Sequence, residues 1–144
     1  MKMKRRMLMV LVTSLVPLLF TGLLLAQSAS WAMSISVDPA VVDLTLGQRE
    51  VTVTVAISRT ESAAENALVL CGVQPGEVVS TSPGLYPFGT SSVIWVGDVL
   101  TDQPAVFSLT ARPAQWPETF VPCAIIEAGL VQHSSTQRLS EKRP

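Results

Sequence analysis

Basic residues, histidine and cysteine are all in short supply in this sequence, and each shortage removes a class of function. Ten Lys and Arg stand against eleven Asp and Glu over 144 residues, and Lys2, Lys4, Arg5 and Arg6 make up four of the ten. The chain beyond residue 32 therefore carries six basic and eleven acidic residues, a net charge of −5. A nucleic-acid partner needs a basic surface that displaces counterions from phosphate, so nucleic acid is not an expected partner. His133 is the single histidine, and with two cysteines it does not supply the four ligands of a structural zinc site. A Ser-His-Asp triad would have to form around His133, and nothing beside Ser134 or Ser135 suggests an oriented base. Asp98 and Asp102 flank a turn. Two carboxylates fall short of the six or more oxygens that calcium takes, and they read as polar turn residues. No Gly-rich phosphate loop and no His-Glu zinc motif occurs. The expectation is a non-enzyme with no catalytic residue, no metal and no cofactor.

What is present begins with an export signal. Lys2, Lys4, Arg5 and Arg6 precede the apolar run "MLMVLVTSLVPLLFTGLLL", Met7 to Leu25, and the small, polar stretch "AQSASWA". Ser30 and Ala32 suit the −3 and −1 positions of a signal-peptidase site and place cleavage before Met33. No cysteine stands there for a lipid anchor, and Arg5–Arg6 lacks the rest of a twin-arginine signal, so the Sec route is expected. The rival is a retained anchor: nineteen residues of helix reach about 28 Å, close to a bilayer's apolar thickness. Pro17 and the cleavage-like flank weigh against it. The expected organisation is a signal peptide over 1–32, one domain over 33–129, and a polar, frayed tail over 130–144. Removing 32 of the 144 residues leaves 112, enough for one modest core. The expected location is outside the cytoplasm, at the envelope or secreted, with membrane contact only if the N-terminal segment is retained.

Within the domain the hydrophobic period is two. In "VTVTVAIS" Val51, Val53, Val55 and Ile57 share one face and Thr52, Thr54 and Ala56 the other, the signature of a half-buried strand. Further strands are read at "SISVD", "VVDLTLG", "NALVLCGV", "EVVSTS", "SVIWVG", "AVFSLTAR" and "FVPCAIIEA". Between them "QPGE", "SPGLYPFGTS", "TDQP" and "RPAQWPE" read as turns. Seven to eight short antiparallel strands at this spacing indicate an all-β sandwich.

From Val51 to Arg112 the chain resembles the conserved repeat domain of bacterial and archaeal surface proteins, an immunoglobulin-like sandwich of no assigned function. The matching pieces are "VTVTVAIS", "ALVLCGVQPG", "VVSTSPG", "VIWVGDVL" and "AVFSLTAR", in order. "SRTES" departs from the family's usual Asn-x-Gly, and "QPG" from its Leu-Pro-x-Gly. The resemblance implies an immunoglobulin-like fold and a surface or interaction role. Antibody-type domains are a poorer match: the gap from Cys71 to Trp95 is about twice theirs, and Val121 stands where a tyrosine corner needs Tyr.

Two residue sets matter most. An even cysteine count in an exported chain favours a Cys71–Cys123 disulfide, against the alternative of two buried thiols. Tyr86 and Phe88 in "GLYPFG", with Trp116 and Phe120 in "AQWPETF", put four aromatic rings in two loops. Either they close one end of the core, the preferred reading, or they point outward as a binding face. Trp95, inside a strand, belongs to the core. The expected function is an exported, non-catalytic structural or adhesive module of the cell envelope. The alternatives are a glycan- or partner-binding module using the loop aromatics, and a pilin-like subunit that assembles by strand pairing. The partner is accordingly an unspecified protein or glycan at the envelope.

Overall fold

A computed structural model describes residues 31–114 and 118–141. Among these the chain forms nine strands and no α-helix: β1 Trp31–Asp38, β2 Val51–Arg59, β3 Ala64–Gly72, β4 Gly76–Thr81, β5 Leu85–Pro87, β6 Ser92–Val99, β7 Ala105–Pro113, β8 Phe120–Glu127 and β9 Leu130–Arg138. They make two antiparallel sheets, in order β1-β2-β7-β4 and β5-β6-β3-β8-β9. The layers pack face to face as a β-sandwich.

The core follows from the alternation. Val51, Val53, Val55 and Ile57 of β2 are buried, and β7 sets Leu109 opposite Val53 and Phe107 opposite Val55. Val69 and Cys71 of β3, Val93 of β6, and Val121, Cys123 and Ile125 of β8 face them from the second sheet. Each buried aliphatic side chain stabilises the fold by about 1.5–3 kcal/mol before entropy is counted. Trp95 lies half-buried against this core, its ring stacked 5.6 Å from that of Phe107.

The two cysteines form a disulfide that joins β3 to β8. Cys71 and Cys123 stand directly opposite in the register, 4.2 Å apart at Cα. The bond thus lies within one sheet, whereas the antibody-type bridge crosses between sheets.

Five sequence expectations need correction. "VVDLTLG" is not a strand: the Asp43 carboxylate accepts the Thr45 amide, Gly47 adopts φ +74°, and Leu44–Leu46 close as a 3-10 turn. The "SPGLYPFGTS" turn contains β5, short enough that its period cannot register. The tail does not fray at 130. Leu130–Arg138 pairs with β8 along its length, and Leu139 beyond it is fully buried. Its polar composition suits an edge strand, which buries little side chain and satisfies its backbone through one neighbour. Finally, β1 begins at Trp31, two residues ahead of the expected domain start. The strand count is nine rather than seven to eight.

Candidate functional site

The two sheets differ in their outer faces. On the four-stranded sheet most outward residues are polar: Ser34 and Ser36 on β1, Thr52 and Thr54 on β2, Ser108 and Thr110 on β7, with the Ala56–Val106 pair and the exposed Val79 of β4 as apolar exceptions. Arg112 extends this face, bonded to both Glu50 and Glu77. Those two hydrogen bonds, Glu50's first, raise its pKa above the ordinary arginine value. That face is mostly polar.

The outer face of the five-stranded sheet is apolar. One register row runs Tyr86, Ile94, Leu70, Ala124, Ser134 across β5, β6, β3, β8 and β9. The next row sets Val96 beside Leu68 and Ile126, with Val131 at the edge. On the other side lie Ser92 and Gly72, then Pro122 paired with Thr136. The Phe88 amide donates to the Ser92 carbonyl at 2.8 Å, which carries the register one residue past β5. Gln74 and Phe120 exchange backbone hydrogen bonds of 2.9 Å at the far end. By alternation Phe120 shares its face with Pro122 and Ala124.

Three of the four aromatic residues singled out from the sequence thus meet on one sheet face. Tyr86 is 63% exposed, Phe88 62% and Phe120 41%. They do not cap the core, the reading preferred from the sequence. Trp116 lies outside the described residues. Gly72 has no side chain, and a shallow trough of about 210 Å³ opens above it, lined by Leu70, Gln74, Ser92, Pro122, Ser134 and Thr136. No charged residue lines it. Its size is below that of pockets that enclose small ligands, so it suits an extended surface contact.

Sequence reasoning found the aromatics but missed the floor. The signal was present. "ALVLCG" and "PCAII" are apolar on both alternating faces, whereas "VTVTVAIS" is apolar on one. A strand with two apolar faces in a two-layer fold leaves one of them uncovered. Ser134 and Thr136 were hidden by the reading of their segment as a tail.

Asp98 holds the backbone of a neighbouring strand. Its Oδ1 accepts the Asn66 amide at 2.9 Å, where Asn66 takes φ +53° in the β3 bulge. His133 sits half-buried on β9 opposite Ile125. Among the described residues no group of three His, Cys, Asp or Glu is arranged to hold a metal, and no helix is long and apolar enough to cross a membrane.

No family model matches the sequence, and no curated protein does. Among solved structures the chain is similar to the sporulation control protein Spo0M of Bacillus subtilis, at 14% identity and a TM-score of 0.46 over 81% of this chain and 51% of that one. It is also similar to a GH20 exo-β-N-acetylglucosaminidase of Vibrio harveyi in complex with N-acetylglucosamine, at 8% identity and a TM-score of 0.44. That match covers 79% of this chain and 18% of the enzyme. The chain thus spans under a fifth of one and about half of the other. Likenesses this remote bear on neither activity nor partner.

Proposed function

We propose that this protein is an exported, non-catalytic adhesive module of the cell envelope, and that it grips its partner with the outer face of the five-stranded sheet. The observation that carries the reading is the asymmetry between the two outer faces. Thr, Ser and an Arg–Glu cluster dominate one sheet, interrupted by Val106 and Val79, while the half-buried Leu68, Leu70, Ile94 and Ile126 and the exposed Val96, Tyr86, Phe88 and Phe120 make a broader apolar surface on the other. Exposed contiguous apolar surface of this kind usually marks an interaction site. The uncharged lining favours a neutral partner. Aromatic rings that pack against the C–H faces of sugars, with Gln74, Ser92, Ser134 and Thr136 to meet hydroxyls, favour a neutral glycan chain.

The fold behind this face is proposed to be immunoglobulin-like. The sheets β1-β2-β7-β4 and β3-β8-β9 correspond to the A-B-E-D and C-F-G arrangement of that class, with β6 and β5 added beyond β3. The disulfide and the N-terminal basic and apolar segments support export. Resemblance to the surface-protein repeat domain supports the same location.

Affinity electrophoresis in gels containing neutral polysaccharides tests the glycan reading. Retardation of the native protein, lost in Tyr86→Ser/Phe88→Ser, is expected. Unretarded migration in every gel would sink it. A second reading is assembly by strand addition, favoured by β6: among the described residues β5 pairs with Val93, Ile94 and Trp95 and no strand pairs with Val96–Val99 on that edge. It predicts oligomers that survive dilution, and a clean monomer in sedimentation would count against it.

A further inference from the structure

We propose that the export signal is cut between Ser30 and Trp31, so that the mature chain keeps Trp31 and Ala32. The inference rests on the export reading above and adds to it where processing occurs. Both Ser28/Ser30 and Ser30/Ala32 offer the small residues that a signal peptidase reads at −3 and −1. By sequence the start is expected at Met33, but the same rule is met by a chain that begins at Trp31. The folded domain chooses between them.

Trp31 is the first residue of β1, paired with Arg59, and Ala32 pairs with Ser58. Trp31 is 7% exposed and belongs to the core, on the inward face with Met33, Ile35 and Val37. The Arg59 guanidinium lies over the Trp31 ring, 5.0 Å from its centroid, an attractive arrangement that strengthens as water is excluded. Arg59 Nη1 donates to Glu127 Oε1 at 2.6 Å, and the Trp31 indole Nε1 donates to Glu127 Oε2 at 3.3 Å. One residue thus ties β1 and β2 of the first sheet to β8 of the second. It also covers an ion pair whose arginine side chain is only 13% exposed.

A cut before Met33 removes the indole, uncovers the Arg59–Glu127 pair and deletes two backbone pairs of an edge strand. A leader residue contributes nothing to the folded domain, and Trp31 contributes at three points. In the proposed step water adds across the Ser30–Trp31 amide, leaving a carboxylate on Ser30 and an ammonium group on Trp31. The peptidase of the export machinery supplies the nucleophile.

The test is the intact mass of the product recovered after expression of the full 144-residue chain in an exporting bacterium. The expected product begins at Trp31 and is two hydrogens lighter than its reduced form. A product that begins at Met33 would overturn the inference and leave export standing. An uncut chain would also overturn the inference: with the disulfide formed it would mean a retained anchor, and with both thiols free it would overturn the export reading itself. A second measurement compares urea midpoints of chains that begin at Trp31 and at Met33. The longer chain is expected to unfold at higher urea, and equal midpoints would remove the physical basis for the proposal.

Discussion

At the scale of single residues, Gly97 and Tyr86 show how differently two positions on neighbouring strands behave. A Cβ at Gly97 would meet Trp95 Cζ2 at 2.6 Å, so Trp95 folds back over a residue that must lack a side chain. Gly97→Ala is expected to push the indole off Phe107 and cost about 1–3 kcal/mol, as overpacking does, measured by urea denaturation. Tyr86, exposed on the same sheet face as the trough, is expected to do the reverse. Tyr86→Ser should leave stability within about 0.5 kcal/mol while weakening retardation by a neutral polysaccharide. A loss of both together would mean that the ring serves the fold and not the surface. The Cys71–Cys123 bond joins residues 52 apart in the chain, and by the chain-entropy argument its reduction should lower stability by about 4 kcal/mol. Paired denaturation curves with and without reductant check this.

At the scale of elements, legibility followed the strength of the period. β2 and β7 were plain in the sequence because apolar and polar residues alternate along most of each, from Val51 to Val55 and from Phe107 to Arg112. β9 was not, because "LVQHSSTQR" carries no inward apolar series: His133 and Ser135 are only half-buried opposite Ile125 and Cys123. What holds β9 is backbone pairing along β8 and the anchor Leu139, and neither leaves a periodic trace. Leu139→Ala therefore separates a structural tail from a frayed one. The burial of Leu139 at 1% exposure predicts a loss of about 2–5 kcal/mol; a frayed tail would give almost none. The strand expected at Val41–Gly47 failed for a local reason. The Asp43 side chain and left-handed Gly47 out-compete an apolar alternation whose Leu44 and Leu46 stay exposed.

At the scale of the whole molecule, the sandwich was legible and its sidedness was not. Alternation reports which residues face inward. It does not report which sheet will hold the strands whose second face is also apolar. Only pairing brings Leu68, Leu70, Ile94, Val96, Ala124 and Ile126 together, and brings Tyr86, Phe88 and Phe120 from separate chain positions onto one surface. The central claim is that the apolar outer face is where the protein touches its partner. The most direct test places a photoreactive phenylalanine analogue at Tyr86, or at the exposed Thr52 on the other sheet, and illuminates cells exporting the full chain. Covalent adducts from position 86 and none from position 52 are predicted. Equal labelling from both positions, or none from position 86, would contradict the account.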